Sequence, residues 1–252
     1  MSLDLNHATS SAAHWLFDLG NTRFKYAPLY GQTCGPVQIL EPHTPEALFP
    51  RGQYAWVASV ADPRQTAVLL QQLQRRHFNH VHRVTTQAQC LELTLNSRQP
   101  DTFGVDRFLA LLAAAQARKS MLVVGVGTAL TVDLIDHHGQ HLGGRIAPSP
   151  ATMRHVLHQR AVQLPPTGGS YSEFTDNTLD ALASGCIGAS VALIERSLVQ
   201  AQTLLDSPAP LLLHGGGAES LLALLPDAIY RPSLVLEGLA RWVIHQQQNL
   251  LN

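Results

Sequence analysis

The sequence predicts an α/β protein built as two related halves, and three observations carry that prediction. Short β-rich runs alternate with Ala- and Leu-rich helical stretches along the 252 residues. The segments FDLGNTRFKY (17–26) and VGVGTALTVD (124–133) each set a Gly turn followed by Thr between two β-rich runs, so Gly20 and Gly127 mark equivalent points. The turns between these runs are short, which indicates antiparallel hairpins beside helices and not a purely parallel sheet. The halves divide as residues 1–116 and 117–252.

Taken in order, residues 15–20 read as a strand entering a tight turn and 22–29 as the strand returning. YAWVASV (54–60) is another strand, followed by a helix over about 63–77. Short strands near 81–84 and 91–95 lead to a turn-rich patch, Asn96–Gly104. VDRFLALLAAAQAR (105–118) is a strong helix, rich in Ala and Leu and without a breaker. MLVVGV (121–126), a turn, and Leu130–Asp136 begin the pattern again. A polar turn, HHGQH, then leads through 142–147 to helices near 150–161 and 177–203. PLLLH (210–214) is a strand ending in Gly215-Gly216-Gly217, with a helix over 218–225. A last strand at Leu234–Leu236 precedes a C-terminal helix over 237–248.

Composition narrows the function. With 45% apolar and 14% charged residues the chain is globular. Seventeen basic residues against eighteen acidic ones give a net charge of −1, which offers no electrostatic footprint for nucleic acid or an anionic membrane. The opening MSLDLNHATSSAAHW lacks a positive n-region and an apolar core, and no run approaches about 18 consecutive apolar residues. Cys34, Cys90 and Cys186 are odd in number and without C-x-x-C spacing, pointing to a reducing compartment. A soluble, cytoplasmic protein is expected. Only Lys25 and Lys119 are lysines and neither follows a glycine, so a Walker-type phosphate loop is excluded.

GVGTAL (125–130) superficially matches a dinucleotide fingerprint, but the next residues, TALTVDLI, read as a strand where a helix is required. A Gly-Thr hairpin tip can still hold an anion through backbone N–H groups and a hydroxyl. DLGNTRFK (18–25) adds a carboxylate, an Asn and one of the two lysines, a set that suits phosphate and Mg²⁺; an Asn-stabilised turn is the plain alternative. GVDR (104–107) sets Asp106 and Arg107 on a helix's first turn, as a base beside an anion-gripping arginine or simply as a cap. Three glycines in HGGGAE (214–219) imply close backbone approach, by a ligand or by a packed helix. The histidine groups His77, His80, His82 and His137, His138, His141 read as surface imidazoles. No G-x-S-x-G supports a serine nucleophile.

Together these segments resemble the type III pantothenate kinases, a branch of the acetate-and-sugar-kinase/actin superfamily. DLGNTRFK matches the family's first phosphate loop, and GVDR its G-x-D-R with Pro100 at the expected distance upstream. GTALTVD (127–133), GGRIAP (143–148), NTLDALASG (177–185), HGGGA and LVLEGL (234–239, as a closing strand) follow in family order. The resemblance implies two ribonuclease-H-like (actin-like ATPase) domains, each a mixed five-stranded sheet with flanking helices, and a nucleotide cleft between them. It implies transfer of the ATP γ-phosphoryl group to the primary hydroxyl of pantothenate, the first step of coenzyme A synthesis. By the same resemblance Asp18, Leu19, Gly20, Asn21, Thr22, Arg23, Phe24, Lys25 and Thr128 hold ATP phosphates, with Asp18 serving Mg²⁺. Gly104, Val105, Asp106 and Arg107 contact pantothenate, Asp106 accepts the proton, and Thr178 is a further substrate contact. A homodimer with its substrate pocket near the interface is implied as well.

Two departures stand out. The family usually carries Asp two residues before the second-loop glycine, where it binds K⁺ or NH₄⁺; here that residue is Gly125, and a relaxed cation requirement is expected. Some members line the substrate pocket with Tyr nine residues before the catalytic Asp; here it is Ser97. Two other readings are a degenerate kinase serving as a regulatory accessory protein, and a superfamily kinase for another small hydroxyl substrate. The intact DLGNTRFK and GVDR argue against the first, and GVDR at its distance from the first loop argues against the second.

Overall fold

The computed structural model describes residues 12–21, 23–40, 48–205 and 207–251. In it the β-rich runs flanking Gly20 close as the expected antiparallel hairpin, β1 (His14–Leu19) against β2 (Phe24–Tyr30), with Asp18 opposite Lys25. Thr22, near the hairpin tip, lies outside the described residues. β3 (Thr33–Cys34) and β4 (Gln38–Leu40) extend β2, while β5 (Gly52–Ser59) runs parallel to β1 on its other side. α1 (Pro63–Arg76) starts where Asp62 accepts the backbone N–H groups of Arg64 and Gln65, and it returns the chain to β6 (Phe78–Arg83), parallel to β5. A two-stranded hairpin, β7 (Gln89–Cys90) with β8 (Leu93–Thr94), and a 3₁₀ turn at Pro100–Thr102 lead into α2 (Val105–Ala115).

The second sheet repeats the first. β9 (Met121–Val126), β10 (Ala129–Ile135) and β11 (His141–Pro148) form an antiparallel meander, and β12 (Leu211–His214) and β13 (Ile229–Tyr230) add in parallel beside β9. The sheet orders are β3-β2-β1-β5-β6 and β11-β10-β9-β12-β13, the same succession of directions. The echo between the two glycine-tipped segments is therefore a repeat of structure. α3 (Pro150–Arg160), α4 (Thr178–Leu205), the short α5 (Glu219–Leu222) and α6 (Leu234–Leu251) complete the elements.

Strand alternation sends neighbouring residues to different cores. Leu16 and Trp56 face a central cluster with Phe108 and Leu112 of α2, Val123 and Leu212 of the second sheet, and Leu239 of α6. Phe17 and Val57 face the outer cluster under α1, with Leu69 and Leu73. Val124, Val132 and Leu213 face another, under Ile194 of α4. By length and composition α4 could cross a bilayer, yet its Val191, Ile194 and Ala201 are buried against the second sheet.

One expectation is corrected. Leu234–Leu236 is not a strand but the opening of α6, and the last strand is Ile229–Tyr230. An apolar run buried on all sides shows no alternation, so periodicity does not separate strand from helix there. Leu234, Leu236 and Leu239 are fully buried, and α6 lies so close to α2 that a Cβ on Gly238 would collide with the Leu109 carbonyl.

Candidate active site

The β1–β2 hairpin points its tip at the second half. Burial pushes the Asp18 carboxyl up to about 7; the charge of Asp106 adds to the shift and Lys25 opposes it. Two carboxylates and a lysine are therefore within electrostatic reach of one another, Asp18 and Lys25 as partners across the hairpin. At the turn the Gly20 N–H donates to the Arg23 carbonyl at 3.1 Å. Lys25 reaches to the second half, its Nζ donating to the Pro232 carbonyl at 3.1 Å, just before α6. The Arg23 guanidinium lies against Gly216, where a Cβ would collide with it. The triple-glycine loop is thus a true close-approach loop: Gly215 takes φ +93° and the Gly217 N–H donates to the Val126 carbonyl at 3.0 Å. Leu19 is fully buried and Phe24 packs beside it, so those two can offer a phosphate only backbone groups, whereas Asn21 is exposed.

Gly104 caps the start of α2, and the Asp106 carboxylate accepts the Arg107 N–H at 2.8 Å. Capping and site chemistry coexist here. Burial raises the Asp106 carboxyl above the usual carboxylate range, opposed by the Arg107 N–H and charge. Val105 is buried in the central core. Arg107 does not project an open fork: its Nε and Nη2 donate to the two carboxylate oxygens of Asp133, at 2.9 and 2.6 Å. Asp133 received no role from the sequence, although it closes GTALTVD and is the kind of mid-strand carboxylate that needs a cationic partner.

Thr128 stands exposed at the β9–β10 tip, the counterpart of the first hairpin's tip, and its carbonyl accepts Thr152 Oγ1 at 2.6 Å. Thr178 opens α4 and is exposed; the nearby bonds tie Asn177 Nδ2 to Asp180 at 2.8 Å and not to the Asp106 cluster. Ser97 is taken up locally, its Oγ accepting the Gln99 N–H at 3.3 Å. A Cβ on Gly125 would sit 2.8 Å from both His214 Nε2 and Thr131 Oγ1. That position holds no carboxylate, and a side chain there would have to displace His214 and Thr131, so the residues present do not fit a carboxylate-held monovalent cation. Burial, with Lys25 nearby, pushes the His214 imidazole down to about 4. The reading of both histidine groups as surface imidazoles is corrected: His77, at the C-terminal cap of α1, and His141, the first residue of β11, are buried, while His80, His82, His137 and His138 are exposed.

Among the described residues no group of three or more His, Cys, Asp or Glu could cage a metal. Asp18, with Asp106 near it, suits a hard divalent cation whose other ligands are phosphate oxygens and water, the habit of Mg²⁺.

A family model described as type III pantothenate kinase matches residues 15–200. A protein of Stenotrophomonas maltophilia (strain K279a) named type III pantothenate kinase is 61% identical over 239 residues, covering 92% of this chain and 98% of its own. One of Xanthomonas campestris pv. campestris (strain B100) with the same name is 55% identical over 240 residues, covering 92% and 98%. Among solved structures, a Campylobacter jejuni protein assigned to the Baf family of transcriptional activators aligns with TM-score 0.63 at 20% identity, covering 93% of this chain and 99% of its own. A Sinorhizobium meliloti protein assigned as a 2-dehydro-3-deoxygalactonokinase aligns with TM-score 0.56 at 11% identity, covering 91% and 98%. These structural likenesses speak to the fold.

Proposed function

The chain belongs to the type III pantothenate kinase family, and from that premise we propose how its residues carry a phosphoryl group from ATP to pantothenate. It is an ATP-dependent pantothenate kinase, acting at the first step of coenzyme A biosynthesis. Its mixed α/β sheets form the two-domain fold of actin-like ATPases and sugar kinases.

In this reading the hairpin Asp18–Lys25 and Thr128 hold the ATP phosphates from the two halves, and Asp18 holds Mg²⁺. When bound, Mg²⁺ neutralises charge on the transferring phosphates. Lys25 adds positive charge on the same side, and Arg23 lies against the glycine loop at Gly216. Gly104, Val105, Asp106 and Arg107 receive pantothenate. Asp106 takes the proton of the attacking hydroxyl, a task suited to a carboxyl whose pKa is raised by burial. The observation that carries the reading is the register of the β1–β2 hairpin, which sets Asp18 opposite Lys25, with Asp106 near enough for its charge to raise the Asp18 carboxyl.

A homodimer accounts for Thr178. The face formed by α3 and α4 carries an apolar groove of about 540 Å³ lined by Leu157, Leu182 and Cys186 among others. Thr178 lies at the start of α4 on this side of the molecule, so a second copy seated there would take it into a shared substrate pocket. Gly125 supports a relaxed requirement for K⁺ or NH₄⁺. Three free cysteines and balanced charge support a cytoplasmic enzyme without nucleic-acid or membrane partners. A coupled ADP-release assay with ATP, Mg²⁺ and pantothenate tests the whole: ADP release that depends on pantothenate is expected, and release indifferent to pantothenate overturns it.

A further inference from the structure

The pair Arg107–Asp133 joins the halves at the candidate site, from the first turn of α2 to the middle of β10. Two parallel bonds make it a fork-to-carboxylate pair, and the side chains are only 14% and 3% exposed. His141 on β11, equally buried, adds a third bond, its Nε2 lying 2.9 Å from Asp133 Oδ1. With a carboxylate as partner, that nitrogen carries the proton and donates. Phe103 closes the assembly: its ring centroid lies 4.1 Å from the guanidinium carbon and meets the His141 ring edge-on at 5.4 Å. Phe103 is itself tethered, its carbonyl accepting Thr86 Oγ1 at 2.7 Å.

The sheet is built to admit this pair. Gly144 sits opposite Asp133 on β11, and a Cβ there would collide with Asp133 Oδ1 and fall 2.8 Å from Arg107 Nη2. A strand-interior glycine forgoes packing, so its place here marks a close approach. Burial pushes the Asp133 carboxyl up, but the bonds from His141 and Arg107 and their charge outweigh it and hold the group below the usual carboxylate range. Asp133 thus meets Arg107 as a fixed anion and spends its own oxygens entirely within the protein.

We propose that Asp133 is a positioning residue for substrate binding: it clamps the Nε–Nη2 edge of Arg107 and leaves Nη1 to meet the anionic end of the substrate. The inference rests on reading Arg107 as the pantothenate contact. An arginine on its own must be ordered when substrate arrives; held by Asp133 and Phe103, it is ordered beforehand, and that gain goes to binding. Asp133 touches neither the hydroxyl nor the phosphates in this scheme, so its loss should appear in pantothenate affinity.

Steady-state kinetics of the full chain with ATP, Mg²⁺ and pantothenate test this, using Asp133→Asn, Arg107→Ala and the double variant. Asp133→Asn is expected to raise the pantothenate KM by about tenfold to a hundredfold, the usual cost of a misplaced contact. The KM for ATP and kcat should stay within about fivefold, since only one substrate's binding is affected. In the Arg107→Ala background Asp133→Asn should add nothing further, because the two act as a unit. Additive losses, or a fall confined to kcat, overturn the proposal. An unchanged pantothenate KM in Asp133→Asn beside a raised one in Arg107→Ala overturns it while sparing the site reading; an unchanged KM in Arg107→Ala overturns the site reading itself. Should Asp133→Asn fail to fold, His141→Gln is read in its place. It should raise the pantothenate KM a few-fold with the ATP KM unmoved, and no change overturns the proposal.

Discussion

Asp106 holds two duties that a single carboxylate can serve at once. One oxygen accepts the Arg107 N–H at the start of α2, and the buried group still has a raised pKa fit for taking a proton. Asp106→Asn keeps the shape and the accepting oxygen, so the fold and ATP binding should persist while kcat falls by about 10²–10⁴-fold. Calorimetric ATP titration beside turnover measurement checks this, and near-full turnover would reduce Asp106 to a cap. Gly125 is the other single-residue case. It holds the place in β9 that Asp18 holds in β1, two residues before the tip glycine, so the repeat carries a carboxylate in one half and none in the other. Activity in Tris buffer should rise by well under about tenfold on adding K⁺ or NH₄⁺, since a cation site without its anionic oxygen is weak. Stronger activation would require a substitute carboxylate.

At the scale of elements the crossing of α2 and α6 is a close contact in the shared core, where an added methyl should cost stability. These helices lie within the core shared by both sheets, and Gly238 permits their approach at Leu109. Alanine is ordinarily the better helix former by about 1 kcal/mol, so Gly238→Ala would stabilise a free-standing helix. Here the added methyl meets backbone, and a loss of about 1–3 kcal/mol is expected from overpacking, read as a lower denaturant midpoint. A midpoint at or above that of the parent chain would mean that the two helices separate at little cost. Glu92 secures the same region from outside, accepting Arg241 Nη2 at 3.0 Å while Arg241 Nη1 donates to the Leu112 carbonyl.

For the whole molecule, the two sheets enclose a shared core and leave the α3–α4 side apolar. Ile146, Val162 and Phe174 are 65%, 78% and 97% exposed in the single chain, large apolar side chains of the kind a covering partner would take from water. Leu157→Asp places a charge in the groove, where burial against a second copy would be costly. Sedimentation should show a dimer for the parent chain and a monomer for this variant, with a raised pantothenate KM if Thr178 serves the shared pocket. A parent chain that sediments as a monomer would remove that role.

Much of this was legible in the order of residues, because local chemistry decides it. Gly20 and Gly127 mark tight turns between β-rich runs wherever they are placed, and the helix from Val105 follows from its own composition. DLGNTRFK and GVDR are contiguous, so their donors and carboxylates arrive together with the motif. Only the tertiary structure decided that Leu234–Leu236 is helical, since burial on every side erases the pattern that separates strand from helix. It alone turned His141 inward and brought Asp133 to Arg107, residues 26 positions apart that meet because β10 packs beside α2. A sequence can name a buried carboxylate as needing a partner; which cation satisfies it depends on elements that meet only when the two halves close on one core.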